Sequence, residues 1–340
     1  MSERGRPAAS GVELATVLGP LRLVAPVLTA AGTSGHGAEL AAYLELASLG
    51  AVVVKSLAAF AWPGNPAPRV VGVSAGMLNS VGLQGPGIEA WLEHDLPRLA
   101  REGAAVVVSI WGRTPEEFAA AAAMLKGADP CVIAVEVNVS CPNLHGSSRR
   151  AARSPAVTPM GAPAAPSRAM GATVPMFAHS ASATADAVAA AAICRLPCFA
   201  KLSPAVTDLV EIAAGAIAGG ATGLVLTNTM AAMSISLVTR RPSLAAGGGG
   251  LSGAALHPIA VRAVWDCHEA FPGVPIVGAG GVSSGEDAIE LLLAGASAVQ
   301  VGTATFAEPR APARVLAEVA SWCEEHGVAS VAELVGAAHG

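Results

Sequence analysis

Charge is thin in this chain. Of its 340 residues only 13% are Asp, Glu, Lys or Arg, the net charge is −5, and three lysines stand against 17 arginines. Such a balance lacks the basic stripe that nucleic-acid binding requires. The six cysteines include no CxxC pair, which argues against a zinc knuckle or a disulfide framework and suits a reducing cytosol. No GxGxxG follows the first candidate strand, so the dinucleotide fingerprint of an open doubly wound sheet is missing. The first ten residues mix charges of both signs, and the first apolar stretch begins too deep for a secretory leader. The longest uncharged run, residues 212–239, is long enough to span a bilayer. Gly219-Gly220 and Thr227-Asn228-Thr229 interrupt it, however, and it reads as helix, turn and buried strand. The expected location is cytoplasmic, with neither a membrane nor a nucleic acid as partner.

What is abundant is apolar surface. Hydrophobic residues make up 53% of the chain and glycine contributes 38 positions, ample for a large folded core. From residue 23 onward, short β-branched runs alternate with Ala-rich amphipathic stretches. Strands are predicted at 24–28, 51–54, 105–110, 132–137, 198–202, 223–227, 275–277 and 298–301, with helical spacing between them, as at 115–126 and 206–218. Eight strands, each followed by a helical segment, predict an α/β fold: a single parallel (β/α)8 TIM barrel. Residues 12–21 suggest an N-terminal hairpin that plugs the bottom of the barrel. The expected organisation is a disordered tail over 1–11 and one domain over 12–340.

One segment breaks the alternation. Residues 145–176 hold five prolines and no periodicity, and predict a flexible insertion after strand 4. Between Glu136 and Asp186 there is no acidic residue, while Arg149, Arg150, Arg153 and Arg168 add positive charge. The insertion is either a basic lid that attracts anions or a segment without a role. A second loop is expected at the glycine run 247–250.

In such a barrel the chemistry gathers at the C-terminal ends of the strands. Those ends carry Thr29 to Gly32, Lys55-Ser56, Ser109, Asn138 to Cys141, Lys201, Asn228-Thr229, Gly278 to Gly281 and Gly302-Thr303. Asn79 and Asn143 fall in adjoining loops. Singly, each has an ordinary explanation: a lysine pairs with a carboxylate, an asparagine caps a turn, a buried cysteine packs as a small hydrophobe. Together they crowd two of three lysines and two of five asparagines onto one face. The glycine-bearing turns after strands 7 and 8 suit a phosphate held by backbone N–H groups. The asparagines suit a small ring bearing amides and a carboxylate. Cys141, in an SCPN loop, is a candidate proton-abstracting base. No metal cluster is suggested.

These motifs also carry a resemblance. NVSCPN, KLSP, LTNT, GGGGLSG and GAGGVSSGEDAIELLLAGASAVQVGTA, in that order, resemble dihydroorotate dehydrogenase, a flavin mononucleotide (FMN) enzyme of pyrimidine synthesis. GNPAPR at 64–69 and GMLNSVGLQGPG at 76–87 are similar to its soluble, cysteine-using class, most of all to the catalytic subunit of the NAD-linked form. The resemblance implies that Cys141 removes the C5 proton of dihydroorotate while a hydride passes from C6 to the flavin N5. It implies that Lys55, Asn138 and Lys201 lie beside the flavin, Lys55 and Asn138 also touching substrate. Ala31, Ser56, Ser109, Thr227, Gly253, Gly280, Gly281, Gly302 and Thr303 match FMN contacts. Asn79, Ser80, Val81, Gly82, Leu83, Asn143, Asn228 and Thr229 match the substrate-binding set.

The same resemblance implies a homodimer, and a heterotetramer with a partner subunit carrying FAD and an iron–sulfur cluster that passes electrons to NAD. A fumarate-using homodimer, a non-catalytic FMN-binding protein and a flavin reductase acting on RNA bases are the alternatives. The acidic balance argues against the last. Three positions depart from the family pattern: Ala31 where Ser is usual, Ser109 where Asn is frequent, and Gly85 where the GLxNPG stretch has Asn.

Overall fold

The structure, a computed structural model, describes residues 11–140 and 177–340. Cys141, Asn143 and the 145–176 insertion lie outside the described residues, as does the stretch 1–10. Eight parallel strands form the centre: β1 (Val27–Thr29), β2 (Val52–Leu57), β3 (Val106–Ile110), β4 (Val132–Asn138), β5 (Cys198–Leu202), β6 (Gly223–Leu226), β7 (Ile276–Ala279) and β8 (Ala298–Val301). Each pairs with its neighbour in chain order, β8 returns to β1, and a Leu28–Ala51 bridge joins β1 to β2. This is the expected (β/α)8 barrel.

A closed parallel sheet buries both of its faces, so its strands read as continuous apolar runs. The period of two then divides them. Val52, Val54, Val106, Val108, Val135 and Val137 pack outward in the large core beneath the helices. Val53, Val107, Ala134, Phe199, Val225 and Val277 fill the interior. Two residues further along the inward row, apolar side chains give way to Lys55, Ser109, Glu136 and Lys201, and Gln300 follows Ala298 in the same way. The barrel is apolar at the bottom and polar at the top.

The bottom is stoppered by the antiparallel pair Thr16–Leu18 and Leu21–Leu23, whose Leu18 and Leu23 join the interior cluster. Hairpin and first strand both lie a few residues later than the sequence suggests. Leu23 belongs to the hairpin, Val24 is 62% exposed, and Pro26 has no N–H for the ladder.

Among the described residues the helices are α1 (Ile88–His94), α2 (Leu96–Arg101), α3 (Pro115–Met124), α4 (Ala181–Ala191), α5 (Leu209–Ala218), α6 (His257–Ala270), α7 (Gly285–Leu293), α8 (Ala304–Ala307) and α9 (Ala311–Glu325). Thr114, Ser180, Asp208 and Ser284 cap α3, α4, α5 and α7 by accepting a first-turn N–H. After β1 only the short 3-10 turns Glu39–Ala42 and Leu46–Ser48 appear, where a helical segment was expected. The run 212–239 divides among α5, β6 and two short strands, and no helix among the described residues is long and apolar enough to cross a membrane.

A second sheet stands over the mouth. Its antiparallel strands run in the order Met230–Ala232, Gly249–Ser252, Gly76–Asn79, Val70–Val73. It ties the excursion after β2 to the one after β6. Half of the glycine run expected as a loop is therefore strand. A Cβ at Gly250 would collide with the Thr229 side chain, so this crossing tolerates no side chain.

Candidate active site

The C-terminal strand ends and the mouth sheet enclose a cleft of about 1120 Å³, counting the space open to solvent. Ala31, Lys55, Ser56, Asn138, Lys201, Thr227, Gly253, Gly280, Gly281, Gly302 and Thr303 line it. So do Asn79, Val81, Gly82, Leu83, Asn228 and Thr229. Of the described site residues picked out from sequence, only Ser80 and Ser109 stand behind this surface, both buried.

A buried polar network forms the floor. Glu136 is fully buried; its Oε1 accepts from Ser109 Oγ at 3.0 Å and its Oε2 from Gln300 Nε2 at 2.9 Å. Lys201 Nζ lies 3.4 Å from the same Oε2 and donates to Gln300 Oε1 at 2.9 Å. Ser109 Oγ is 2.8 Å from Ser56 Oγ, which accepts from Asn138 Nδ2 at 2.9 Å. Asn228 Nδ2 donates to Asn138 Oδ1 at 3.2 Å and to Ser140 Oγ at 2.8 Å. One hydrogen-bonded chain thus runs from β8 through β5, β4, β3 and β2 to the loop after β6. It holds Lys201, Asn138 and Asn228 in fixed orientations before any ligand arrives. Glu136 and Gln300 escaped the sequence reading because they sit in mid-strand. Their polarity at inward positions of otherwise apolar runs was the available signal.

At one end of the cleft the turns after β7 and β8 meet. The backbone N–H groups of Gly281, Gly302 and Thr303 donate to no residue of the described chain. They line the cleft together, as a phosphate cradle requires. Gly281 has φ 72°, and a Cβ there would lie 2.6 Å from His257 Cβ. His257, at the start of α6, is itself held between Gly280 O at 2.9 Å and Glu290 Oε2 at 3.0 Å. It braces the turn from behind, and the sequence reading had no signal for it.

At the other end the 80–83 loop is pinned from two sides. Asn65 Nδ2 donates to Ser80 O and Oγ, both at 3.1 Å, and Trp62 Nε1 donates to Gly82 O at 3.0 Å. Trp62 is wedged edge-on against Phe60 and Trp111. Asn65, one of the five scarce asparagines, is thus a support for the cleft wall.

Residues 13–322 match the family model described as dihydroorotate dehydrogenase. The chain belongs to the dihydroorotate dehydrogenase family. It is 44% identical over 328 residues to the "dihydroorotate dehydrogenase B (NAD(+)), catalytic subunit" of Desulforudis audaxviator, covering 96% of this chain and 98% of that one. The protein of the same name from Pelobacter propionicus is 42% identical over 324 residues, 94% of this chain and 96% of the relative. That of Geobacter sp. (strain M21) is 39% identical over 332 residues, 96% and 98%. The dihydroorotate dehydrogenases are oxidoreductases, and this chain is one of that class by descent.

The three departures from the dihydroorotate dehydrogenase pattern have distinct settings. Ala31 lines the cleft and offers it only backbone polarity. Ser109 joins Ser56 to Glu136, so the polar chain continues through it. Gly85 leaves space beside His36, whose Nε2 would lie 3.4 Å from a Cβ at that position. That nitrogen is buried without a hydrogen-bond partner. Burial, and then the neighbouring Lys55 charge, hold the His36 pKa below the ordinary imidazole value.

Proposed function

We propose that this chain oxidises dihydroorotate to orotate with bound FMN. Its electrons then leave through a partner subunit carrying FAD and an iron–sulfur cluster to NAD. The observation that carries the reading is the union, in one cleft, of the unpaired N–H turns after β7 and β8 with the amides of Asn79, Asn138 and Asn228. The first suits a phosphate, and the second suits a ring with amide and carboxylate edges.

The cleft fits FMN in its donor chemistry. Gly281, Gly302 and Thr303 would hold the phosphate, and Lys201 and Lys55 would supply positive charge along the ring system. When bound, the flavin accepts the two electrons of the C5–C6 oxidation. The rest falls to the protein. Asn79, Asn138 and Asn228 bind the substrate's amides and carboxylate, with the 80–83 loop closing one side. Cys141 removes the C5 proton as a thiolate. Two residues before it in the chain is Val139, and the intervening Ser140 is held by Asn228. Lys55 and Lys201 stabilise negative charge as it develops, an electrostatic contribution made in a site that is already oriented.

The names of the relatives describe catalytic subunits, which supports a working assembly of this chain with an electron-transfer partner; in the same reading this chain is itself a homodimer and the assembly is cytoplasmic. The test is anaerobic addition of dihydroorotate to the purified yellow protein. Bleaching of the visible flavin band with release of orotate is expected, together with fast NAD reduction only when a co-purifying FAD subunit is present. Absence of bleaching overturns the oxidation. Rapid turnover of the isolated chain with fumarate overturns the NAD route.

A further inference from the structure

The connection from α4 to β5 carries two cysteines at the end of the barrel remote from the cleft. Cys194 closes the 3-10 turn Ala192–Cys194 and Cys198 opens β5, with their Sγ atoms 4.0 Å apart. Three residues separate them, and the first, Arg195, has φ 64°. A sharp left-handed turn thus brings the thiols face to face. The turn is at the surface: Ile193 is 44% exposed, while Cys194 and Cys198 are 5% and 2% exposed. Lys126, one of the three lysines, lies near enough for its charge to act on Cys194.

The environment separates this pair from the other described cysteines. The Cys198 thiol, followed by nearby backbone N–H groups and Lys126, draws the Cys194 pKa down against its burial. Cys198 is pushed up by its hydrogen bond to Cys194 and by burial. Burial pushes Cys267 up to about 12, raises Cys323 as well, and together with Asp129 takes Cys131 to about 12. One thiol is disposed to ionise, and a second stands beside it to resolve what the first captures.

We infer that Cys194 and Cys198 form a two-cysteine modification site that exchanges with the disulfide of a small thiol of the glutathione type. The Cys194 thiolate attacks one sulfur of the small disulfide. A bond forms between Cys194 Sγ and that sulfur, the original S–S bond breaks, and the departing half takes up a proton. Cys198 then releases its proton to water and attacks Cys194 Sγ, expelling the second half as a thiol and leaving a Cys194–Cys198 bond. The protein loses two electrons and two protons, and the small disulfide gains both. Closure brings the two sulfurs from 4.0 Å to the bonded distance of about 2.05 Å.

The test treats the full-length protein with oxidised glutathione under native conditions, followed by alkylation and peptide mapping by mass spectrometry. The expected product is lighter by two hydrogens in the peptide holding Cys194 and Cys198, with two fewer alkylatable thiols, both restored by dithiothreitol. Cys198→Ser should halt the reaction one step earlier, with a single glutathionyl group on Cys194. Without oxidant, alkylation of Cys194 should rise with pH along a curve whose midpoint lies below the ordinary thiol value of about 8.5. A wild-type protein that keeps both thiols alkylatable, or retains a glutathionyl group on Cys194 without forming the bridge, overturns the inference. So does modification that appears only after denaturation. Wild-type mapping decides the matter even if the Ser variant fails to fold.

Discussion

The Lys201 ammonium meets the Glu136 carboxylate at 3.4 Å inside the barrel, with side-chain exposures of 7% and 0%. Both charges are out of water, so each depends on the other and on the hydrogen bonds that complete the group. Gln300 serves both partners at once, and Ser109 takes the remaining carboxylate oxygen. The arrangement holds the lysine at the cleft floor, at the cost of a buried pair whose loss is expensive.

Removing either charge alone should therefore destabilise strongly. Glu136→Gln or Lys201→Met is expected to cost about 3–5 kcal/mol in urea unfolding, since an uncompensated charge or its acceptor remains buried. The double variant should recover a large part of that loss, a coupling read directly from the four-protein cycle. Additive losses would mean that the pair is not a unit.

Replacing Gly302 with Val or Leu should give a folded but colourless protein. The side chain would enter beside Ala30, whose Cβ lies 3.2 Å from a Cβ built at Gly302, and crowd the N–H groups assigned to the phosphate. The measurement is flavin absorbance per chain after purification. Full occupancy would remove these turns from the cofactor site.

Cys141→Ala should bind orotate nearly as the native protein does, yet reduce the flavin roughly 10²–10⁴ times more slowly, the usual contribution of a positioned base. Stopped-flow bleaching measures it. The native rate should climb with pH as the thiolate fraction grows. Cys141→Ser should be slow and regain rate at high pH.

Asn79→Ala and Asn228→Ala should each weaken orotate binding by about 1–3 kcal/mol, because a ligand amide loses its partner. Calorimetric titration would show it. Melting temperature should change little for Asn79. Asn228 also orients Ser140 and Asn138, so its removal should slow flavin reduction as well as weaken binding.

His36 gives a pH dependence with a definite sign. Its folded pKa lies below 6.5, chiefly through burial and then through Lys55, with Asp95 and Glu39 opposing. The unfolded chain therefore takes up a proton first as pH falls, and stability is present above pH 6.5 and lost on going below it. Denaturation midpoints measured from pH 7.5 down to 5 should fall, and His36→Gln should flatten the lower part of that curve. His268, whose pKa burial and His339 also lower, adds a residual slope of the same sign.

The barrel could be read from the chain because a closed parallel sheet demands runs such as those around Val52–Leu57 and Val132–Asn138, and few other folds tolerate eight of them. Strand ends then located Lys55, Asn138, Lys201 and the two glycine turns. Glu136, Gln300 and His257 were not found, because their roles depend on partners far along the chain: Gln300 and Glu136 are 164 residues apart. The period of two says that a side chain points inward, not which side chain it meets. Nor does local pattern reveal that the glycines at 249 and 250 run as a strand, since that follows from the pairing of Gly249 with Ala232 and of Gly250 with Asn79 across the mouth.

That mouth sheet joins Gly250 to Asn79, residues separated by 171 positions (250 minus 79). Except at the β8–β1 closure, each barrel strand, by contrast, pairs with the strand next to it in sequence. The two layers therefore differ in the loop entropy needed to assemble them. Barrel pairing can propagate strand by strand, whereas the lid over the ligands closes only when distant excursions have found one another. The native ensemble should accordingly contain states in which the barrel is intact and the mouth is open. Amide exchange at Leu78 and Leu251 should outpace exchange at Val108 and Val135, and bound orotate should slow the first pair without touching the second. Ligand entry and partial unfolding of the mouth would then be one motion seen from two directions.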